Sequence, residues 1–514
     1  MKLTELLSEF PYPYTLRNGD AEIQGIASDS RLVRAGDLFV AQVGGAVDGH
    51  NFIPSALEAG AAAVVGTKPL AGIQVPYLQV EDSRMALPYL AAGYFGYPAR
   101  KLTMIGVTGT DGKTTTTNMI YQILQTAGKK VGMVSTINAV IGEQVFDTGF
   151  HVTTPDAPDV QRYLAQMVAA GLSHVVLEVT SHGLAQYRVD ACEFDVAVVT
   201  NITHEHLDYH GSYEAYRSAK ARLFIILNST LPKPQGNPRA AVLNRDDASF
   251  VYLSQVSTGM QISYGFHPEA DIRPEHVKHT PEGLSFTVVG KERQFPIDCH
   301  LMGDFNISNC LAAITTTVFC LGIRPEDTQA GIAAVQTVPG RMERIELGQD
   351  FAAIVDFAHT PNALQNALQT VRQITRGRVI SVFGAAGLRD RQKRRMMAET
   401  SIELADLTVL TAEDPRTELL EDILDEMAAG ADSQGGIEGQ SYWKVPDRGE
   451  AIRFAISLAH PGDVVIACGK GHEQSMCFGD IEYAWDDRIA MRAALSELLG
   501  IPGPQMPYLP TQGQ

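Results

Sequence analysis

Met104-Ile105-Gly106-Val107-Thr108-Gly109-Thr110-Asp111-Gly112-Lys113-Thr114-Thr115 runs from an apolar stretch through a Gly/Thr loop into a helical pattern. A strand over 104–107, a helix over 114–126 and a second strand over 131–134 predict a right-handed parallel crossover, with the loop at the C-terminal end of the first strand. Glycines let backbone N–H groups close around phosphate oxygens, and the helix N-terminus adds positive potential. Gly109, Thr110, Asp111 and Gly112 form the cradle, Lys113 can reach terminal phosphates, and the hydroxyl of Thr114 or Thr115 can hold Mg²⁺. A chance Gly-rich turn ahead of Lys-Thr would not require a strand before it and a helix behind it. Five residues rather than four separate Gly106 from Gly112-Lys113, so the loop departs from the commonest phosphate-loop spacing.

Working outward, apolar runs at 174–179 and 194–199 extend one doubly wound sheet. The Pro-rich segment 229–238 reads as a loop, because a strand-like run resumes at 240–243. A helix over 306–319 closes this region, and the chain turns at Val338-Pro339-Gly340-Arg341. A second alternation follows, with strands at 352–355, 379–383, 407–410 and 463–467 and helices at 362–374, 392–405 and 419–428. Between about residue 20 and residue 100, short apolar runs punctuated by Gly, Asp and Pro predict a smaller unit. The expected fold class is therefore α/β in three domains: a small N-terminal α/β domain (1–100), a central phosphate-loop domain with a doubly wound, mostly parallel sheet (101–338), and a C-terminal Rossmann-like α/β domain (339–514). No tandem repeat is evident, and the tail after Gly500 reads as loose.

A chain of 514 residues suits about three domains of ordinary size. Lys and Arg number 41 against 59 Asp and Glu, for a net charge of −18, which argues against nucleic acid as a partner. The first ten residues are interrupted by acids and lack the apolar centre of a signal peptide, and no apolar run reaches membrane-spanning length. These features predict a cytoplasmic protein without membrane insertion. The six cysteines show no paired or metal-ligand spacing and read as reduced core residues.

Glu178 ends an apolar strand, where parallel sheets present groups to ligands. Asn201-Ile202-Thr203-His204-Glu205-His206-Leu207-Asp208-Tyr209-His210-Gly211 follows, and then Lys220. The histidines could suggest zinc, but a phosphate-loop protein already calls for Mg²⁺ held mainly by oxygen, with the Thr114 hydroxyl and the Glu178 carboxylate as candidate ligands beside a ring nitrogen of His206.

Gly109-Thr110-x-Gly112-Lys113-Thr114-Thr115 resembles the superfamily of Mur ligases and folylpolyglutamate synthetases, which form amide bonds by phosphorylating a carboxylate with ATP. Asp29-Ser30-Arg31 and Asp48-Gly49-His50 resemble the uridine-nucleotide-binding domain of Mur ligases, implying Ser30, Asp48 and His50 as substrate contacts. Thr153, Thr154, Ser181, Gln186 and Arg188 match the region that holds a UDP-muramoyl dipeptide. Asn306 and Asn309 match an adenine-side helix, and Arg341, Asp356 and His359 match nucleotide-binding positions of the last domain. Arg389, Asp414, Arg416, Gly469 and Glu473 match its amino-acid pocket. By the same resemblance Lys220 is carbamylated and holds a second Mg²⁺, and Lys113, Glu178, His206 and Lys220 are the catalytic group.

The implied reaction joins a free diamino acid to UDP-MurNAc-L-Ala-D-Glu through an acyl phosphate, in a monomeric enzyme using ATP and Mg²⁺ for peptidoglycan synthesis. ATP would lie between domains, so closure is expected. The amino-acid motif reads Glu413-Asp414-Pro415-Arg416, where diaminopimelate-adding members carry Asp-Asn-Pro-Arg. Arg416 and Arg389 suit the second carboxylate of diaminopimelate, whereas an anion at 414 favours the ammonium of L-lysine or L-ornithine, leaving both open. Leu388 and Arg395 are further departures near this motif. A folylpolyglutamate-type ligase would not need the N-terminal motif, and a non-catalytic sensor of nucleotide or muropeptide would lack one of the catalytic groups.

Overall fold

The structure is a computed structural model that describes residues 1–44, 47–70, 72–146, 154–203, 205, 207–280 and 283–511. Three mainly parallel sheets follow one another along the chain. In the first, Tyr14–Arg17 pairs antiparallel with Tyr77–Val80, and Ala63–Gly66, Asp37–Val40 and Gly25–Ala27 continue it in parallel.

The middle sheet runs in the order Met260–Tyr264, Ala240–Asn244, Val196–Val199, Thr103–Thr108, His174–Glu178, Val131–Val134, Ala139–Ile141, Gln144–Phe146. The first six strands are parallel and the last two add an antiparallel edge. Every residue of Thr103–Thr108 is buried, which explains its unbroken apolar reading. Its neighbours His174–Glu178 and Val196–Val199, both later in the chain, lie on opposite sides of it, so the order reverses there and opens a crevice at the strands' C-terminal ends.

The last sheet runs Glu343–Arg344, Ala352–Asp356, Val464–Cys468, Val379–Phe383, Leu407–Leu410, Tyr442–Lys444, with only the first strand antiparallel. Among the described residues no helix is long and apolar enough to cross a membrane.

Two features differ from the sequence expectation. An antiparallel sheet of Arg273–Thr280, Gly283–Gly290 and Arg293–Cys299 stands between the helical segments, and Phe286, Val288, Phe295 and Ile297 bury its inner face in the middle core. The helix expected over 306–319 is α-helical only at Phe305–Ile314 and continues as a π-helical turn at Thr315–Cys320. The Thr316 and Thr317 hydroxyls donate to the carbonyls of Ala312 and Ala313 at 2.8 Å, competing with the regular ladder.

Candidate active site

The loop after Thr103–Thr108 is held from behind by the end of its neighbouring strand. Thr110 N–H donates to the Asn201 carbonyl at 2.7 Å, and Asp111 N–H donates to Asn201 Oδ1 at 2.9 Å. Thr200 Oγ1 donates to the Asp111 carbonyl at 2.6 Å. A Cβ on Gly109 would lie 1.8 Å from Thr200 Oγ1, and φ there is +153°, so the close approach requires glycine. Thr200 and Asn201 were not singled out in the sequence; their position directly after an apolar strand was the available signal.

Four chemically active side chains converge on this loop. Thr114 Oγ1 donates to both Glu178 oxygens at 3.1 and 3.0 Å, and Thr136 meets the same carboxylate through its N–H at 3.2 Å and Oγ1 at 2.9 Å. Glu178 is 1% exposed, so its negative charge sits in a confined, oxygen-rich site. Lys113 Nζ donates to the Thr110 carbonyl at 2.8 Å. Lys220 Nζ donates to the Gly109 carbonyl at 2.5 Å and lies 4.6 Å from the Tyr216 ring centroid. Burial, reinforced by Lys113, pulls the Lys220 amine well below the ordinary lysine range. Burial also lowers Lys113, though Glu178 and Asp111 oppose it. Thr115 is buried in the first turn of the helix Lys113–Thr126. His206 and Thr153 lie outside the described residues.

The C-terminal sheet supplies the facing wall. Arg341 Nη2 donates to Thr114 Oγ1 at 3.3 Å, its guanidinium lies 4.2 Å from the Phe357 ring centroid, and its Nε is a buried donor with no partner among the described residues. Asp356 accepts from Met342 N–H at 2.7 Å and Ala358 N–H at 2.8 Å; burial raises its pKa and Arg341 opposes the shift. His359 Nδ1–H donates to the Phe357 carbonyl at 2.9 Å, and burial followed by Lys393 keeps the ring neutral by lowering its pKa. Asn306 and Asn309 are buried and bonded to each other at 2.9 Å. Asp111, Gly112, Thr114, Asn306, Asn309, Arg341, Asp356 and His359 line one cleft between the middle and last sheets. Arg341, with its unpartnered Nε, therefore faces the phosphate loop across a gap suited to an anion.

On the other side of Glu178, Thr154 Oγ1 receives Thr180 N–H at 3.0 Å, and Arg188 donates to the Thr154 carbonyl at 2.6 Å and to Gln186 Oε1 at 2.7 Å. Ser181 is 1% exposed, and its Oγ has no partner among the described residues. In the N-terminal unit, His50 Nδ1–H meets Asp48 Oδ1 at 2.6 Å, while its Nε2 accepts from Thr67 N–H at 2.9 Å. Asp48 also pairs with Lys68. Both His50 nitrogens are thus engaged within the chain, so it shapes this turn. Ser30 opens the short helix Ser30–Leu32, which is capped by Asp29.

The amino-acid motif is organised around a residue the sequence reading passed over. Lys470 is fully buried; its Nζ lies 3.0 and 3.1 Å from the two Asp414 oxygens and 2.5 Å from Glu473 Oε2. Asp414 additionally accepts from Cys477 N–H at 2.9 Å. The anion expected at 414 is met within the chain by a buried ammonium that faces both of its oxygens. Arg416 donates to the Gly387 carbonyl at 3.3 Å, bringing the 414–416 turn onto the segment that carries exposed Arg389. Gly469 packs against Glu413, whose Oε2 lies 2.2 Å from where a Cβ would stand. Leu388 is solvent-exposed, and Arg395 points along the helix surface to Glu399 at 2.7 Å, away from the motif.

Residues 22–95, 107–317 and 340–471 match, in turn, the Mur ligase family catalytic domain, the Mur ligase middle domain and the Mur ligase glutamate ligase domain. A UDP-N-acetylmuramoyl-L-alanyl-D-glutamate–2,6-diaminopimelate ligase of Geobacillus thermodenitrificans is 42% identical, over 97% of this chain and 100% of that one. A UDP-N-acetylmuramyl-tripeptide synthetase of Roseiflexus sp. is 43% identical, over 97% and 99%. A solved UDP-N-acetylmuramoyl-L-alanyl-D-glutamate–2,6-diaminopimelate ligase superposes with a TM-score of 0.64 at 30% identity, covering 93% of this chain and 95% of that one. The chain belongs to the Mur ligase family, and within it to the UDP-N-acetylmuramyl-tripeptide synthetases.

Proposed function

We propose that this chain joins 2,6-diaminopimelate to UDP-MurNAc-L-Ala-D-Glu, converting ATP to ADP and phosphate. The supporting observation is the cleft where Thr114 of the middle domain, itself hydrogen-bonded to Glu178, meets Arg341 of the last one. Residues 1–100 would take the UDP end, 101–338 the ATP phosphates, and 339–514 the incoming amino acid. The choice of diaminopimelate over lysine or ornithine rests on the names of the relatives and on the pairing of Asp414 with Lys470.

In the first step the γ-phosphoryl group passes from ATP to a D-Glu carboxylate oxygen, giving ADP and an acyl phosphate. Two anions must approach, so Lys113 and Arg341 lower the barrier by offsetting charge. In the second step the deprotonated amine attacks the acyl carbon, the carbon–oxygen bond to phosphate breaks, and the nitrogen loses a second proton to give the amide. Thr114 and Glu178, with His206, would hold Mg²⁺: their donors are mainly hard oxygens, and Mg²⁺ needs few protein ligands because it keeps water and phosphate oxygens. Bound there, Mg²⁺ would neutralise phosphate charge. Among the described residues no three His, Cys, Asp or Glu side chains form a metal cage.

Lys220 is proposed to be carbamylated. Carbamylation needs a neutral amine, and the depressed basicity of this fully buried lysine supplies one. The test of the whole reading is an ADP-release assay with UDP-MurNAc-L-Ala-D-Glu and each diamino acid in turn. Diaminopimelate should give the largest stimulation with a product of tripeptide mass; stimulation by lysine alone would replace that substrate.

A further inference from the structure

The amino-acid pocket contains an ion cluster that the reaction chemistry does not require. Asp414 and Glu473 approach one ammonium, Lys470 Nζ, at 3.0 and 2.5 Å, and that lysine has no exposed surface. Burial alone would strip the proton from Lys470, yet Glu473 and Asp414 outweigh it and raise its pKa, so the ammonium persists. Asp414 sits at φ +43° and Arg416 at φ +55°, so the backbone of this turn is left-handed at both positions. The turn is further tied down by Arg416 N–H to the Cys477 carbonyl at 3.1 Å and by Gly479 N–H to the Arg416 carbonyl at 2.8 Å. The cluster is therefore tied firmly into the fold.

We infer that Lys470 is a specificity-determining positioning residue, the counter-charge that lets a pocket containing Asp414 and Glu473 accept an amino acid with a second carboxylate. This rests on the amino-acid pocket assigned above. With Lys470 present, the cluster carries one excess negative charge, which Arg416 on the same turn offsets. Without it, the buried Asp414 carboxylate and the partly exposed Glu473 carboxylate would confront the substrate carboxylate, and that repulsion disfavours a dicarboxylic diamino acid while favouring a second ammonium.

The experiment compares wild type, Lys470→Met and Asp414→Asn/Lys470→Met in the full-length protein, measuring kcat/KM for diaminopimelate and for L-lysine, and KM for ATP. Wild type must first show diaminopimelate addition; if it does not, the assigned function fails rather than this inference. In Lys470→Met the ratio of diaminopimelate to lysine kcat/KM is expected to fall about 30-fold, mostly through KM for diaminopimelate, with KM for ATP within about twofold. The double variant should bring the ratio back to within about threefold of wild type, because one anion leaves with the cation. Equal losses for both amino acids, or no recovery in the double variant, would overturn the inference. Should Lys470→Met not fold, Asp414→Asn carries the test: removing one anion from the ammonium should raise the ratio about tenfold, and a ratio within about twofold of wild type would overturn it.

Discussion

Arg341 Nη2 donates to Thr114 Oγ1 at 3.3 Å, joining residues 227 positions apart and bringing the last sheet onto the first turn of the phosphate-loop helix. The contact makes Arg341 available to any anion seated on the loop. Replacing it with alanine should lower kcat about 100- to 1000-fold, since a pre-positioned cation at developing phosphoryl charge contributes on that scale. Thermal unfolding should move by only a few degrees; steady-state kinetics beside a melting curve separates the two effects.

Lys113→Ala should abolish tripeptide synthesis while sparing the fold. Among the described residues its amine donates a hydrogen bond to the Thr110 carbonyl, a contact that leaves the surrounding packing intact when removed. A loss of at least about 1000-fold in turnover is expected, with a nearly unchanged circular dichroism spectrum. Unchanged turnover would remove the phosphate loop from the mechanism.

Lys220→Ala should also be severely impaired, and added bicarbonate should not restore it, because alanine has no amine to carbamylate. In wild type the amine must be neutral to react with carbon dioxide, and burial, by lowering its pKa, enlarges the neutral fraction. Activity in bicarbonate-stripped buffer should therefore fall and recover on adding bicarbonate. Wild-type rates in Lys220→Ala would exclude the carbamate.

Glu413 is a carboxyl with no hydrogen bond to its buried Oε2, and burial pushes its pKa up to about 7 despite nearby Lys393, Arg448 and Lys470. A carboxyl raised above its unfolded pKa binds its proton more tightly in the native state. Native stability from this group is therefore lost as pH rises from about 4.5 through about 7. Glu413→Gln removes the titration, so its stability relative to wild type should improve by about 1–3 kcal/mol between pH 5 and pH 8. Urea unfolding at the two pH values measures the change; a constant difference would contradict it.

The parallel strands and their helices were legible because each is bracketed by turn residues and buried on both faces. The runs predicted at 131–134, 379–383 and 407–410 coincide with Val131–Val134, Val379–Phe383 and Leu407–Leu410. The antiparallel sheet from Arg273 to Cys299 was missed because one face is solvated, as in Arg293–Cys299, where buried and exposed residues alternate. The phosphate loop and Glu178 were visible because one strand end places each of them. The Lys470–Asp414 pair was not: 56 residues separate its partners, and only the fold brings their charges together. Reading Asp414 by itself gave the pocket an anion without its cation.

The account rests on a phosphoryl group passing to the D-Glu carboxylate before the amide forms. The direct measurement uses UDP-MurNAc-L-Ala-D-Glu labelled with ¹⁸O in its D-Glu carboxylates, together with ATP, Mg²⁺ and diaminopimelate. Mass analysis of the released phosphate should find one ¹⁸O atom per tripeptide formed. Tripeptide accompanied by unlabelled phosphate would contradict the acyl phosphate and the role given to the cations around the loop.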